Sequence, residues 1–269
     1  MIALAAAGAL GAGALAWGWF EAGWPRLRTL DVPLPGLPAE LAGVRIAHLS
    51  DFHLGVPSRG GRAVERAVDW VASREPDLVV ITGDLLSRPR AEPRLRKLLG
   101  RLPGSFAVLG NHDFAFSRDP FSKPVELADL GDTELLEDST ATVELRGRRV
   151  QLVGVDPRSY RLGQARPARL VDGDADLRIL LCHFPNVIDK LPPGAFDLVL
   201  AGHLHAGQIV IPYGLGKLRL AHVRWTYAEG VYRRPGGTLH VSPGLGTTFV
   251  PFRFFARPEA TELVLQSEP

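Results

Sequence analysis

The feature that most constrains this chain is a set of short apolar runs that have the length of strands and end abruptly in polar residues. The runs 78–81, 106–109 and 198–201 are entirely apolar, and the runs 44–49 and 177–182 are largely so. Continuous apolar runs of this length are typical of strands that are buried on both faces. Such strands occur where helices cover a mostly parallel sheet, so the pattern predicts an α/β fold.

The segments between these runs support the same fold. Residues 61–74 carry small apolar residues at helical spacing with charged residues opposite, which predicts an amphipathic crossover helix. Alternating segments on either side of 146–148 and 235–237 predict two β-hairpins. The second half of the chain is therefore expected to be mostly β.

Each apolar run leads directly into polar residues that a hydrophobic core would reject. These clusters are 50–53, 83–84, 110–113, His183 and 202–205, and they are rich in Asp, Asn, His and Gly. Ligand sites in α/β sheets lie beyond the carboxyl ends of the strands, so residues far apart in sequence can meet there. The sequence therefore predicts one site to which five strands contribute.

The clusters contain side chains that bind transition metals. Cys182 is the only cysteine, so nitrogen and oxygen must hold any ion. Asp51 and His53, two residues apart at the end of a strand, can bind one cation together, and His203 and His205 repeat this arrangement. A mixed imidazole and carboxylate set favours Mn²⁺, Fe or Zn²⁺ over Mg²⁺ or Ca²⁺, and manganese is our first choice.

The candidate ligands are too numerous for one ion. They are Asp51, His53, Asp84, Asn111, His183, His203 and His205. This set suits two divalent ions that share a carboxylate, for which Asp84 is the natural bridge. Paired ions clamp an anionic oxygen and lower the pKa of a shared water until hydroxide is available, which is chemistry that hydrolyses phosphate esters. We interpret His112, beside Asn111, as the general acid at the leaving group.

The N-terminal segment allows several interpretations. Residues 2–20 are uncharged and would span about 28 Å as a helix, and tryptophans cluster at the end of the segment. We favour an uncleaved membrane anchor over residues 1–24, with a cleaved signal peptide and a buried or interfacial helix as alternatives. Prolines over 25–40 predict a stiff linker, and the catalytic domain is expected over 41–269.

Charge gives weaker guidance about partners and location. Arg26 and Arg28 follow the apolar segment, so the positive-inside rule favours a cytoplasmic catalytic domain, with an extracytoplasmic one as the alternative. The formal charge of +2 is too balanced for a typical nucleic-acid binder, and no such partner is expected. The oligomeric state stays open.

Some aromatic and histidine residues lie outside these clusters. His48 and His222 have no motif around them and are expected to be surface or hydrogen-bonded core residues. We expect core positions, with lipid contact as the alternative, for the aromatic residues Phe249, Phe252, Phe254 and Phe255.

The ordered clusters between Val44 and Gln208 resemble the signature of the calcineurin-like metallophosphoesterase superfamily. The resemblance implies two packed mixed β-sheets flanked by helices in a four-layer sandwich. It further implies one ion at Asp51, His53, Asp84 and His205, a second ion at Asp84, Asn111, His183 and His203, and His112 at the leaving group.

The segments 203–212 and 244–259 look like the bacterial membrane-anchored branch, which includes phosphodiesterases and UDP-2,3-diacylglucosamine hydrolases. The chain departs from that branch at Leu204 and Ala206, where Thr and Gly are usual. Ser87 stands where an Asp is frequent, which removes one orienting partner for His112.

These observations predict a dinuclear phosphoesterase that hydrolyses a phosphodiester or pyrophosphate, with the anchor pointing to a lipid-linked substrate. A phosphatase or nucleotide phosphodiesterase that acts on soluble substrates is the alternative enzyme. A scaffold of the same fold without catalysis is a further alternative, which the seven intact ligands disfavour.

Overall fold

The first β-sheet is mixed and is formed by both ends of the chain. In this computed structural model, which describes residues 1–114, 117–125, 127, 129–214, 216–221 and 226–268, only one of its neighbouring strand pairs, β14 with β2, is antiparallel. Its strands, in spatial order, are β1 (Arg26–Pro35), β14 (Glu259–Glu268), β2 (Arg45–Leu49), β3 (Leu78–Thr82), β4 (Phe106–Val108) and β5 (Glu134–Leu135).

The second sheet is also mixed. Its four inner strands are parallel, and antiparallel hairpin strands form both edges. In spatial order they are β12 (Gly230–Arg234), β13 (Gly237–Val241), β9 (Leu198–Ala201), β8 (Leu177–Leu181), β7 (Arg148–Gly154) and β6 (Ser139–Leu145). Both predicted hairpins are confirmed, and β10 (Val210–Tyr213) pairs with β11 (Gly216–Arg219) as a separate ribbon.

The inner faces of the two sheets share one apolar core, which explains the continuous apolar runs. Ile46 and Val80 of the first sheet face Ile179 and Leu200 of the second in this core. The opposite face of the first sheet packs on α2 (Gly60–Arg74) and α3 (Glu92–Leu99), so residues that alternate along each strand are buried on both sides. The predicted α/β fold with two mixed sheets and its crossover helix are confirmed.

The expected linker over 25–40 is wrong. Residues 26–35 form β1, which pairs in parallel with β14 over ten residues, and Val32 and Leu34 are fully buried. Proline has no N–H to donate to a neighbouring strand. Pro33 and Pro35 are compatible with β1 because it is an edge strand, which has no neighbour on its outer side. The folded domain therefore begins well before residue 41.

The N-terminal segment forms the helix α1 (Ile2–Glu21). No helix in the described part of the chain is long and apolar enough to cross a membrane. Arg26, on which the cytoplasmic expectation rested, is part of the folded sheet and pairs with Glu259 at 2.8 Å. Arg28 lies in the same strand, so neither arginine belongs to a loop beside a membrane span.

The last turn of α1 is attached to the segment that precedes β14. The amide of Arg253 donates to the Gly18 carbonyl at 3.0 Å, and the amide of Ala256 donates to the buried Glu21 carboxylate at 2.8 Å. A side chain at position 18 would overlap the ring of Phe254, so the close approach requires glycine. The end of α1 is thus a structural part of the domain.

Several aromatic side chains around this attachment lie at the surface. Trp17, Trp19 and Trp24 are each about two-fifths exposed, and Phe249 and Phe255 are more than half exposed. The expected core position is wrong for these two phenylalanines.

The short helix α4 (Pro157–Arg161) follows β7, and its Tyr160 packs against the apolar cluster on the outer face of the second sheet.

Candidate metal centre

The structure brings the seven predicted ligands together beyond the carboxyl ends of five strands. The first sheet supplies four of them after β2, β3 and β4, and the second sheet supplies three after β8 and β9. The two sheets meet through short hydrogen bonds, such as the one from the His203 amide to Oδ1 of Asp51 at 3.1 Å. Parallel strands therefore place distant sequence clusters in one site.

The backbone of the site is strained. Positive φ angles occur at Asp51 (54°), His53 (46°), Asp84 (54°), His203 (79°) and His205 (49°). Left-handed backbone conformations are unfavourable for residues other than glycine, and they persist where the surrounding structure imposes them. This strain turns each side chain out of its strand direction and toward a common centre.

One group of donor atoms centres on Asp51. Nε2 of His53 lies 3.1 Å from Nε2 of His205, and the latter atom lies 3.4 Å from Oδ1 of Asp51. Oδ2 of Asp84 lies 3.5 Å from Nε2 of His53. Nitrogen and oxygen lone pairs converge here as they would around a cation.

A second group lies on the other side of Asp84. Nε2 of His183 is 3.0 Å from Nδ1 of His203, 3.2 Å from Oδ1 of Asn111 and 3.2 Å from Oδ2 of Asp84. The same Asp84 oxygen therefore faces both groups. The donor set could hold two divalent ions that share this carboxylate.

Burial dominates the electrostatics of the centre. Burial raises the pKa of Asp51 to about 6, against the opposing effect of His183. Burial alone would lower the pKa of His183, but the carboxylates of Asp84 and Asp51 outweigh it and raise this pKa to about 9. For Asp84, the nearby rings of His183 and His112 outweigh burial and lower the pKa. Ionised carboxylates that are buried in this way need a neighbouring positive charge to offset the loss of water, and bound cations would supply it.

Hydrogen bonds fix the ring orientations. Nδ1 of His183 donates to the Thr82 carbonyl at 2.8 Å, which leaves Nε2 directed at the centre. Nδ1 of His53 is bonded to the Ser87 hydroxyl at 3.0 Å. The sequence assigned Ser87 to the surroundings of His112, and that assignment is wrong because Ser87 orients His53 instead.

His112 is held from two directions. Its amide donates to Oδ1 of Asp84 at 2.8 Å, and its Nδ1 is bonded to the Ser122 hydroxyl at 2.7 Å. A carboxylate oxygen of the buried Asp119 lies 3.9 Å from Nδ1. The His112 ring also lines a pocket of about 440 Å³, together with Asp84 and His203.

A buried hydrogen-bond chain leads from the second sheet to Asp51. Oδ2 of Asp51 accepts from Ser50 at 2.6 Å, so the single Ser50 hydrogen is used and Ser50 accepts from Thr82 at 2.9 Å. Thr82 then accepts from Nε2 of His48 at 2.8 Å, and Nδ1 of His48 accepts from Nδ1 of His240 at 2.8 Å. With this arrangement His48 donates from Nε2 and accepts at Nδ1, and the Thr82 carbonyl lies 3.0 Å from the same Ser50 hydroxyl as a second acceptor.

Comparison with known proteins agrees with this geometry. The sequence profile of the calcineurin-like phosphoesterase family matches residues 44–207, which contain all seven candidate ligands and His112. The chain belongs to this family. As a calcineurin-like phosphoesterase, it is a metal-dependent phosphoric ester hydrolase.

Three relatives of this calcineurin-like phosphoesterase are similar over most of the chain. The uncharacterized metallophosphoesterase YkoQ of Bacillus subtilis is 30% identical over 236 residues, which cover 84% of each chain. A transmembrane protein with metallophosphoesterase domain from Danio rerio is 34% identical over 90% of this chain and 57% of its own length. The UDP-2,3-diacylglucosamine pyrophosphatase LpxG of Chlamydia trachomatis is 28% identical over 97% of this chain and 96% of its own.

Sequence reasoning on this phosphoesterase missed several residues that support the site. Arg253 is fully buried, donates to the carbonyls of Pro243, Gly246 and Ala256, and reaches Nδ1 of His205 at 3.1 Å. Arg253 lies in the segment 244–259 that carries the family resemblance, but the sequence did not reveal its contact with His205, which is 48 residues away. His48 is hydrogen-bonded in the core, as expected, and His222 lies outside the described residues.

Asp113 is a second supporting residue whose role the sequence did not reveal. Its carboxylate accepts from the amides of Leu86 and Gly110, at 3.0 and 2.9 Å. Burial raises its pKa to about 7. Asp113 thus ties the segment after Asp84 to the one that carries Asn111.

Proposed function

We propose that this chain is a dinuclear metallophosphoesterase that hydrolyses a phosphodiester or a pyrophosphate. Asp51, His53, Asp84 and His205 would hold one ion, and Asp84, Asn111, His183 and His203 would hold the other. The observation that carries the proposal is the position of Oδ2 of Asp84, which lies within 3.5 Å of a ring nitrogen in each group. Mn²⁺ is the first choice of ion, with Fe and Zn²⁺ as alternatives.

The chain's own residues supply the remaining chemistry. When bound, the two ions supply positive charge for the phosphoryl oxygens and lower the pKa of the attacking water. His112 protonates the leaving-group oxygen, and the Ser122 hydroxyl orients its ring through the bond to Nδ1. The buried Asp119 carboxylate lies 3.9 Å from the same nitrogen and faces that side of the ring.

We infer a lipid-linked substrate. The inference is supported by the similarity to a UDP-2,3-diacylglucosamine pyrophosphatase and by the exposed aromatic side chains around the site. Phe249 lines the same pocket as His112 and is 52% exposed. An apolar surface beside the phosphate site suits a substrate with one charged and one apolar part.

We propose that α1 attaches the protein to a membrane surface. The end of the helix is fixed to the domain, while Trp17, Trp19 and Trp24 remain exposed. Tryptophan is enriched at the boundary between lipid and water, because its ring is apolar and its N–H is polar. Flotation with liposomes tests this attachment, and a triple Trp→Ser variant that still floats would contradict it.

Metal content and substrate range test the proposed activity. Protein reconstituted with Mn²⁺ should contain two equivalents, and Asp84→Asn should lose both metal and activity, because it removes the shared carboxylate. Asp174→Asn, at an exposed carboxylate, is the matched control. The substrates are bis-p-nitrophenyl phosphate, p-nitrophenyl phosphate and UDP-2,3-diacylglucosamine. One equivalent at saturation would refute the dinuclear proposal, and a preference for the monoester would refute the substrate class.

A further inference from the structure

A second pocket opens beside the metal centre. It has a volume of about 330 Å³ and shares His205, Thr248 and Phe249 with the pocket that contains His112. Its remaining described walls include Ile209, Leu220 and Val250. The two pockets are therefore adjacent, with Phe249 and Thr248 between the metal centre and the apolar walls.

Gln208, a polar residue in the wall of this second pocket, is used within the protein. The amide of Gln208 donates to the carbonyls of Thr248 and Val250 at 2.8 and 3.1 Å, and its oxygen accepts from the Thr248 amide at 2.9 Å. Gln208 is itself buried. The side-chain amide therefore fastens the loop that forms one wall and offers no hydrogen bond to a ligand. The surface that faces the cavity is mainly hydrocarbon.

The pocket opens at an apolar part of the surface. Leu220 and Phe249, which line it, are each about half exposed, and Ile211 and Leu218 on the neighbouring ribbon β10–β11 are more than two-fifths exposed. The Leu220 amide donates to the Ile209 carbonyl at 2.9 Å, which attaches the ribbon to the pocket wall. Exposing apolar side chains of this kind to water costs free energy, and contact with an apolar partner removes that cost.

We propose that this second pocket binds an alkyl chain of the substrate whose phosphate lies at the metal centre. The proposal rests on the phosphodiesterase or pyrophosphatase function proposed above. The shared walls favour a chain covalently joined to the reacting phosphate, and the described lining, with Ile209, Leu220 and Val250, suits hydrocarbon better than a headgroup. A volume of 330 Å³ lies at the lower end of the range for ligand sites, which suits one chain.

The experiment uses p-nitrophenyl alkyl phosphates with chains from butyl to dodecyl, each below its critical micelle concentration, on the manganese-loaded protein. We expect kcat/KM to rise by about three- to fourfold for each methylene group until the pocket is filled. The butyl and dodecyl esters should differ little in Leu220→Asp. Leu162→Asp, at an exposed leucine outside the pocket, is the matched control and should keep the full dependence.

Binding provides a readout that does not depend on turnover. Calorimetry with dodecyl phosphate and butyl phosphate should show tighter binding of the longer chain to wild-type protein, and Leu220→Asp should abolish the difference. Val250→Asn serves as a second variant if Leu220→Asp does not fold.

The outcomes separate this proposal from the proposed function. Turnover that is equal for all chain lengths, with equal binding of both phosphates, would overturn the alkyl pocket and leave the phosphoesterase intact. Absence of turnover for every ester would overturn the proposed function, while calorimetry would still decide whether the pocket binds alkyl chains. If free dodecanol activates hydrolysis of the butyl ester, the pocket binds a separate lipid and the proposal is wrong.

Discussion

The hydrogen-bond chain from His240 to Asp51 makes Thr82 a sensitive position. Thr82→Val keeps the shape of the side chain but removes a hydroxyl that accepts from Nε2 of His48 and donates to Ser50. The fully buried His48 N–H loses its partner, which costs about 1–3 kcal/mol, and the lost bond to Ser50 adds about 0.5–1.5 kcal/mol. We expect the free energy of unfolding to fall by about 2–4 kcal/mol.

Urea denaturation at pH 7.5 measures this change on protein from which a chelator has removed any bound metal. Thr133→Val is the matched control, since Thr133 is also buried but has a single hydroxyl partner, Ser105, far from the site. In a double-mutant cycle, His48→Phe should cost at least about 1 kcal/mol less in the Thr82→Val background, because the unpaired N–H is then absent. Additive costs, or a Thr82→Val effect no larger than that of Thr133→Val, would refute the hydrogen-bond chain.

Three further predictions concern the site and its surroundings. Gly110→Ala places a methyl group where it overlaps the Asp84 carboxylate, so elemental analysis should show loss of bound metal. His112→Gln should keep its metal but lower kcat by about 10²–10⁴ for an alkyl ester, with a smaller loss for a nitrophenyl ester, whose leaving group needs less protonation. Burial lowers the pKa of His240 to about 3, below about 6.5 in the unfolded chain. Its neutral ring therefore contributes stability that is fully present above pH 6.5 and is lost by about 1.4 kcal/mol per pH unit as the pH falls toward 3, which urea unfolding across this range measures.

Each of these predictions has a control. Gly173→Ala adds a methyl group in open space, and an equal loss of metal from both glycine variants would contradict the overlap with Asp84. Equal losses of kcat on the two esters would contradict proton donation by His112. In His240→Phe, the slope of the unfolding free energy against pH between about 3 and 6.5 should fall by the value for one proton, about 1.4 kcal/mol per pH unit. An unchanged slope would contradict the lowered pKa of His240.

The sequence predicted those parts of the fold that are encoded locally. The apolar runs gave β3 and β9 nearly to the residue, and the amphipathic segment gave α2, because period and burial are properties of neighbouring residues. The strand β1 was missed because its prolines favour a linker, while its partner β14 lies more than 200 residues away. No local signal reveals a pairing that the ends of the chain make with each other.

The sequence also predicted where the candidate ligands of the site meet, but not the residues that orient them. Strand ends placed the seven candidate ligands at one sheet edge, and the structure brings them together in two groups around Asp84. The residues that orient them come from loops with no periodicity, as Ser122 does for His112. Ser87 shows most clearly what the sequence could not predict. Its position after Asp84 suggested a place beside His112, but its side chain contacts His53.

Arg253 contacts both the N-terminal helix and the metal centre. Its amide holds the end of α1 at Gly18, and its guanidinium reaches the ring of His205. Any coupling that Arg253 transmits between the two is reciprocal: if helix docking tightens ion binding by some factor, ion binding tightens docking by the same factor. We therefore expect a chelator to change the rate at which a protease cleaves near Gly18, although His205 lies almost two hundred residues further along the chain.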